Sequence, residues 1–254
     1  MTVLAVLARP PRPGLVLPKL AETTPLSEQA AADLYEAMLR DTLLAVDRSG
    51  GELLVNYLPD EELPEEHRTE IDPAAELRTI AADTLDDVSD VRFEPQVGST
   101  LSARAGNTIT HLLETEGVSS AAVVFGNAPL MSRVLVDGAA MKLRTNEVVV
   151  GPATEGRSYY AGFSEPVDFA ESFAGLDLQR LTDRAADADL ETEFLQLTPR
   201  VETGADLLSF VPLLRARVTA ERIVPEYTAE FVYEHGIDVV DGADGLELVV
   251  EENA

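Results

Sequence analysis

Three basic side chains near the start of the chain have the chemistry to bind an anion. Arg9, Arg12 and Lys19 follow a continuous apolar run, residues 2–8, in a segment rich in proline and glycine. No acidic residue precedes Glu22, although 46 of the 254 residues are Asp or Glu and the formal net charge is −27. Cations without opposing carboxylates in so acidic a chain favour an anionic ligand, and phosphate is the commonest. The alternative is a chance gap in the acidic residues, with arginine stems covering apolar surface.

Several familiar catalytic motifs are missing from the sequence. It contains no Gly-x-Gly-x-x-Gly, no Gly-Lys-Ser/Thr phosphate loop, no Gly-x-Ser-x-Gly and no His-Glu-x-x-His. Their absence argues against NAD dehydrogenases, P-loop NTPases, serine hydrolases and zinc proteases. With no cysteine in the chain, disulfides, thiol nucleophiles and cysteine-ligated metals are excluded. His67, His111 and His235 lie far apart, without a second ligand at metal-binding spacing.

Strands and helices alternate through the first 150 residues. Apolar runs predict buried strands at residues 2–8, 53–57, 91–93, 121–125 and 147–150. The helices between them include one that Ser27 is predicted to cap. This alternation predicts an α/β fold with a mostly parallel sheet. Open sheets of this kind bind ligands at the carboxyl ends of their strands. The chemistry is therefore expected in three turn-rich loops: residues 9–19, 126–129 and 151–157.

The pattern changes after residue 151. Residues 158–163 and 193–197 are typical of strands, and Thr203 with Asp206 predicts a capping box at the start of an amphipathic helix. A further helix near residues 225–235 and a hairpin near the end of the chain follow. We therefore divide the chain into a main domain, residues 1–217, and a C-terminal extension of helix and β-hairpin, residues 218–254, packed on it.

The acid excess restricts the expected partners. Such a surface repels nucleic acid and anionic lipid, so we expect no nucleic-acid or membrane partner. The N-terminal apolar run is short and soon followed by prolines, and no apolar run is long enough to span a bilayer, so we expect a cytoplasmic protein. The only two lysines are Lys19 and Lys142. Acid-rich, lysine-poor chains are typical of halophiles, and we expect instability at low salt.

Five segments carry a resemblance, in order and at matching spacing. They are residues 9–14 (Arg-Pro-Pro-Arg-Pro-Gly), 31–42 (with Ala-x-x-Leu-Tyr-x-Ala-x-Leu-x-Asp-Thr), 125–129 (Phe-Gly-Asn-Ala-Pro), 151–156 (Gly-Pro-Ala-Thr-Glu-Gly) and 201–207 (Val-Glu-Thr-Gly-Ala-Asp-Leu). These motifs resemble those of the GT-A superfamily, in the glycosyltransferase-A-like prokaryotic family related to archaeal 2-phospho-L-lactate guanylyltransferase. The resemblance covers about residues 2–214. With the acidic composition, it indicates a haloarchaeal-type member.

The resemblance implies a fold, a ligand and a site. The fold is a three-layer α/β/α sandwich of the nucleotide-diphospho-sugar transferase type, Rossmann-like, and the ligand is a nucleoside triphosphate or nucleotide sugar. The implied nucleotide-binding or substrate-binding residues are Arg9, Arg12, Gly14, Lys19, Asn127, Pro129, Glu155 and Gly156. Related transferases hold a divalent metal, Mg²⁺ or Mn²⁺, with an Asp where this chain has Asn127. The implied metal ligands are therefore Glu202 with help from Asn127. Composition alone supports another interpretation equally well, in which Glu155 and Glu202 are solvated surface carboxylates.

Three functional hypotheses follow. The first is a glycosyl- or nucleotidyltransferase in which the basic loop binds phosphates and catalysis depends on positioning and charge neutralisation. The second is a catalytically degenerate protein of the same fold that binds a nucleotide or another anion, with the metal-binding Asp replaced by Asn127. The third is a structural or interaction subunit that uses the C-terminal segment as the arm of a homodimer.

Overall fold

A single large sheet organises the molecule, of which a computed structural model describes residues 2–243 and 245–250. Its strands are β1 (Thr2–Ala8), β2 (Glu52–Tyr57), β3 (Arg92–Pro95), β4 (Ser120–Phe125), β5 (Val148–Pro152), β6 (Ser158–Phe163) and β7 (Thr192–Phe194). They lie in the order β3-β2-β1-β4-β6-β5-β7. Only β6 runs antiparallel to its neighbours, β4 and β5; the other pairs are parallel. The prediction of a mostly parallel α/β sheet is confirmed.

The first strand lies in the interior of this sheet. All seven residues of β1 are buried, and Val6 lies opposite Val55 of β2 on one side and Val124 of β4 on the other. A strand covered on both faces needs apolar residues at successive positions, which explains the uninterrupted apolar run. Beyond Ala8 the prolines at positions 10 and 11 lack the N–H that would extend the ladder. The basic loop therefore begins at the carboxyl edge of the sheet.

Helices cover both faces of the sheet. In the described residues they are α1 (Pro18–Thr23), α2 (Glu28–Asp47), α3 (Pro73–Ala82), α4 (Leu101–Thr110), α5 (Arg133–Lys142), α6 (Asp177–Asp187), α7 (Gly204–Thr219) and α8 (Glu226–Glu234). Ser27 caps α2 as predicted, because its Oγ accepts a hydrogen bond from the Ala30 N–H at 3.1 Å. A π-helical turn, His111–Thr115, prolongs α4. No helix in this part of the chain is long and apolar enough to cross a membrane.

The core has two apolar layers, one on each face of the sheet. Leu20 of α1, Met38 of α2 and Phe210 of α7 belong to the first layer. Ile109 of α4 and Leu181 of α6 belong to the second. Successive side chains of a strand point to opposite faces, so each buried strand contributes to both layers. The result is the three-layer α/β/α sandwich that the resemblance implies.

The reversed direction of β6 changes which residues reach the carboxyl edge of the sheet. A short connection containing a 3₁₀ turn, Thr154–Gly156, joins β5 to β6. In the resulting antiparallel register, Ala161 lies opposite Val150 of β5 and Val123 of β4. The beginning of β6, rather than its end, therefore lies beside the ends of β1 and β4. Arg157 and Ser158, which lead into β6, reach the same edge as the basic loop.

The C-terminal segment packs on the first layer. Helix α8 contacts α2, and the Asp41 carboxylate of α2 accepts hydrogen bonds from the N–H groups of Tyr227 (3.1 Å) and Thr228 (2.8 Å) at the start of α8. The predicted hairpin follows, with β8 (Asp238–Gly242) paired to β9 (Gly245–Val249) and next to α7. These contacts place the segment against α2 and α7.

Candidate functional site

A cleft with a volume of about 490 Å³ opens at the carboxyl ends of β1 and β4. Leu7 of β1 and Phe125 of β4 lie on its lining, which continues onto α1, α4 and the start of β6. Its charged lining residues are Arg9, Lys19, Arg104, Glu155, Arg157, Asp177, Arg200 and Glu202. The position agrees with the expectation that loops after parallel strands converge on one edge. Five of the eight charges are positive, in a chain with a formal net charge of −27.

Two of the three cations of the basic loop lie in the cleft. Arg9 directly follows β1, and its backbone N–H donates to the Tyr35 hydroxyl at 3.1 Å. Lys19 lies in the first turn of α1, which begins after Leu17 adopts a left-handed conformation (φ 48°). Both side chains are exposed, and in residues 2–243 and 245–250 neither has a carboxylate within 4 Å. Their charges are available to a ligand.

Arg12, by contrast, lies outside the cleft. It is buried, and its guanidinium donates to the Glu76 carboxylate of α3 at 3.0 and 3.1 Å. It also donates to the carbonyl oxygens of His67 (2.7 Å) and Ile71 (2.8 Å). These contacts fix the acidic segment, residues 59–72, against the basic loop. Arg12 therefore has its charge neutralised and does not join Arg9 and Lys19.

Three other residues of the predicted site do not line the cleft. Gly14 has φ 74°, and an added Cβ would lie 3.0 Å from the His67 ring, so it serves the tight turn of the basic loop. Pro129 is buried in the turn after β4. Gly156 has φ 72° and faces Leu176. The sequence motifs that contain these residues shape the loops around the cleft.

Asn127 and Glu202 both line the cleft, but the Arg200 side chain lies between them. The Arg200 Nε donates to Asn127 Oδ1 at 3.2 Å, and its Nη2 donates to Glu202 Oε1 at 2.5 Å. Arg200 Nη1 donates to the Ser158 carbonyl at 2.9 Å and lies 3.6 Å from the Asp177 carboxylate. Burial lowers the pKa of Arg200, and the charges of Glu202 and Asp177 oppose that effect. The Arg200 guanidinium therefore contacts Asn127 on one side and Glu202 on the other.

A second arginine is neutralised beside it. Arg157 donates to the Asp206 carboxylate, and its Nη1 lies 3.3 Å from Glu202 Oε2. Burial alone would raise the pKa of Asp206, but the hydrogen bond from Arg157 holds it below its ordinary value. Asp206 also accepts from the Thr203 N–H at 2.9 Å, which confirms the predicted capping box. Glu155, exposed at the rim, lies 3.6 Å from Arg157.

This arrangement does not fit the divalent metal that the resemblance implies. The single amide oxygen of Asn127 accepts from Arg200, and both oxygens of Glu202 face guanidinium groups. Hard cations need several charged oxygens, whereas here a positive side chain already occupies the space between the two implied ligands. In the described part of the chain no three His, Cys, Asp or Glu side chains group in a way that could hold a metal ion.

A further cation, Arg104 of α4, also lines the cleft and is only 8% exposed. Its Nη1 donates to the Gly98 carbonyl at 3.4 Å, and its Nε has no hydrogen-bond partner in the described part of the chain. The cationic lining residues thus form two groups. In the paired group, Arg157 and Arg200 have carboxylates within 4 Å. In the unpaired group, Arg9, Lys19 and Arg104 have none among residues 2–243 and 245–250.

Sequence reasoning did not assign Arg104 or Arg200 to the site. Arg104 lies three residues after the start of α4, in a stretch without a recognisable motif, and Arg200 directly precedes the segment that resembles the family. The available signal was positional: both are basic residues close to predicted element boundaries at the carboxyl edge. Arg157 directly follows the segment 151–156, which carries part of the resemblance.

Comparisons with known proteins show the fold. No family model matches the chain, and no curated protein matches it. A solved structure from Desulfovibrio desulfuricans G20, provisionally named a nucleotide-diphospho-sugar transferase, is 20% identical with a TM-score of 0.72, covering 92% of this chain and 95% of that one. A 4-diphosphocytidyl-2C-methyl-D-erythritol synthase from Anaerococcus prevotii is 13% identical with a TM-score of 0.48, covering 84% and 96%. The first likeness shows a GT-A-like α/β sandwich.

Proposed function

We propose that this chain is a GT-A-like transferase whose cleft binds the phosphates of a nucleoside triphosphate or nucleotide sugar. The observation that carries the proposal is that Arg9 and Lys19 are exposed at the carboxyl end of β1 and form no ion pair with any described residue, in a strongly acidic chain. Such cations attract the cleft's ligand and form charge-assisted hydrogen bonds with phosphate oxygens. The GT-A-like fold supports the same class of ligand.

The remaining cleft residues complete the binding role. Tyr35 accepts the Arg9 backbone N–H and so holds the start of the basic loop against α2. Glu155 at the rim has an exposed carboxylate that would accept hydrogen bonds from hydroxyl groups of a ribose or sugar. Asn127, held by Arg200 and by the Val201 carbonyl, which accepts from Nδ2 at 2.8 Å, fixes the loop after β4.

Catalysis in this proposal is electrostatic. Glycosyl or nucleotidyl transfer leaves a phosphate or diphosphate with increased negative charge, and preorganised cations stabilise that charge as it develops. Arg9 and Lys19 are exposed at the cleft, where their positive charges would stabilise the negative charge of the leaving group. Because Arg200 lies between Asn127 and Glu202, the mechanism contains no step that depends on a metal.

Ligand binding and turnover test the proposal separately. Thermal shift and calorimetry with GTP, CTP, UDP-glucose and GDP-mannose should identify a ligand that stabilises the chain. The variant Arg9→Gln should bind it at least about tenfold more weakly, as expected for a lost charge-assisted contact. Arg48→Gln, at the exposed end of α2, makes the same change in net charge away from the cleft and serves as the control. No stabilisation by any of the four would contradict the proposal.

The second candidate is a protein that binds the nucleotide without turning it over. The observation that favours it is the Arg200 guanidinium in the space between Asn127 and Glu202. Assays for pyrophosphate and nucleoside diphosphate release, run on the ligand identified by calorimetry, discriminate between the two. Release that Arg9→Gln abolishes supports the transferase; tight binding with neither product, across a panel of sugar and phospho-acid acceptors, supports the second candidate.

A further inference from the structure

We propose that Arg104 and Arg9 together form an anion-binding site that holds one phosphoryl-type oxyanion of the ligand. This inference rests on the proposed function, because the oxyanion is assigned to the same phosphate-bearing ligand. Arg104 is a residue that neither the sequence motifs nor the resemblance identifies, and both it and Arg9 belong to the unpaired group of the cleft.

Arg104 lacks a partner for part of its guanidinium. The residue is 8% exposed, yet within the described residues its Nε has no hydrogen-bond partner, and its contact with the Gly98 carbonyl is long at 3.4 Å. No carboxylate of residues 2–243 and 245–250 forms an ion pair with it. Buried arginines in proteins are ordinarily paired and hydrogen-bonded because desolvating the charge is costly. An external anion would supply the partner that this side chain lacks.

The backbone of Arg104 is fixed before any ligand arrives. Thr100 caps α4 by accepting from the Ala103 N–H at 3.1 Å. Asn107 Nδ2 donates to the Val97 carbonyl at 2.8 Å and ties the preceding loop to the helix. Gly98, at φ 133°, lies so close that an added Cβ would be 3.0 Å from the Arg104 nitrogen. A site preorganised in this way loses little conformational entropy on binding.

Arg9 and Arg104 line the same cleft, and their charges repel each other. Burial, and then the charge of Arg9, lower the pKa of Arg104, whereas the charge of Glu62 opposes the shift. Arg157 and Arg200, the paired group of the same cleft, each have carboxylates within 4 Å. The unpaired group therefore carries a repulsion that a doubly charged anion would relieve. The planar fork of Arg104 suits two oxygens of one phosphate better than a single carbonyl or hydroxyl.

Calorimetry on the full chain with pyrophosphate, and separately with inorganic phosphate, tests the site. We expect Arg104→Gln to weaken pyrophosphate binding at least about tenfold. The affinity of Arg104→Lys for pyrophosphate should lie between those of Arg104→Gln and wild type. Arg9→Gln should weaken it too, and the double variant should lose less than the product of the two single effects. Arg48→Gln, which removes one exposed positive charge, should bind like wild type.

Stability of the ligand-free chain is the second readout. A buried cation without a partner costs folding energy, so Arg104→Gln should unfold at the same or a higher denaturant concentration than wild type. A lower unfolding midpoint would mean that Arg104 has a structural role and would overturn the inference, as would unchanged pyrophosphate affinity in Arg104→Gln. Failure of the proposed function looks different: no nucleotide binds wild type, whereas pyrophosphate binding still depends on Arg104.

Discussion

Arg200 donates a hydrogen bond from Nε to the amide oxygen of Asn127 at 3.2 Å. The same guanidinium lies over the Phe125 ring, with its central carbon 3.7 Å from the ring centroid. The Arg200 side chain therefore contacts both the loop after β4 and Phe125, the last residue of β4. A fixed positive charge lies at the place where the resemblance implies a metal ion, and the role of that charge can be tested directly.

Metal independence is the first prediction. The affinity of the chain for the proposed ligand, a nucleoside triphosphate or nucleotide sugar, should be the same with a chelator as with Mn²⁺. Asn127→Asp should not create a Mn²⁺ site, because its new carboxylate would pair with Arg200. It should instead lower the free energy of unfolding by about 1–3 kcal/mol, since the hydrogen bond from Asn127 Nδ2 to the Val201 carbonyl is lost. Calorimetric titration with MnCl₂ and denaturant unfolding measure the two effects. Tight Mn²⁺ binding by either protein would refute the assignment.

Arg12→Ala should destabilise the chain without weakening ligand binding. The substitution leaves Glu76 without its partner and frees the carbonyls of His67 and Ile71. Breaking a largely buried pair of this kind costs about 2–4 kcal/mol. Urea unfolding gives the loss, and calorimetry gives the affinity. Limited proteolysis should cut within residues 59–72 faster than in wild type. Arg9→Gln is the matched comparison, for which we expect reduced affinity and unchanged stability. Reduced affinity in Arg12→Ala would instead show that Arg12 contributes to ligand binding.

Asp41 should give the chain a specific dependence on pH. Burial raises its pKa from 3.8 to about 6, although hydrogen bonds from Thr228 and Tyr227 oppose the shift. The folded state thus holds a proton that the unfolded state releases, so this contribution is complete below about pH 4 and lost by about pH 6, at most about 3 kcal/mol. Asp41→Asn keeps the group neutral. Its stability relative to wild type should rise across that interval; Asp33→Asn, exposed on the same helix, should show no such trend.

Salt should stabilise the folded chain. With a formal net charge of −27, mutual repulsion of carboxylates opposes folding, and screening at molar salt removes most of it. A gain of about 2 kcal/mol would raise the melting temperature by roughly 4–8 °C in a chain of this size. Thermal unfolding in KCl from about 0.1 to 3 M measures the effect, with an uncharged osmolyte as the control. A flat melting temperature would contradict the halophilic interpretation.

The alternation of elements was predictable because local patterns determine it. The apolar run of β1 and the Ser27 cap of α2 are features of neighbouring residues, and both predictions are confirmed. The antiparallel direction of β6 was not predicted, although its signal was present: residues 153–157 are too few for the crossover that a parallel connection requires.

The charges of the site were only partly predictable because pairing is a tertiary property. The three cations of the basic loop look alike in sequence, but among the residues that the structure describes only Arg12 meets a carboxylate, Glu76, which is 64 residues away. In the same way, Arg200 meets Asn127 across 73 residues. No local pattern reports such pairs. Composition correctly indicated that isolated positive charges deserve explanation, but it could not say which of them stay isolated once the chain folds.

The cleft lies across the rim of the sheet, and this position has a mechanical consequence. Lys19 belongs to α1, whose Leu20 packs in the first apolar layer, whereas Arg104 belongs to α4, whose Ile109 packs in the second. A ligand that contacts both side chains would join two helical layers that the sheet otherwise keeps apart. Occupancy would then slow amide exchange in α1 and α4 together, so a single small molecule would stiffen both sides of the protein.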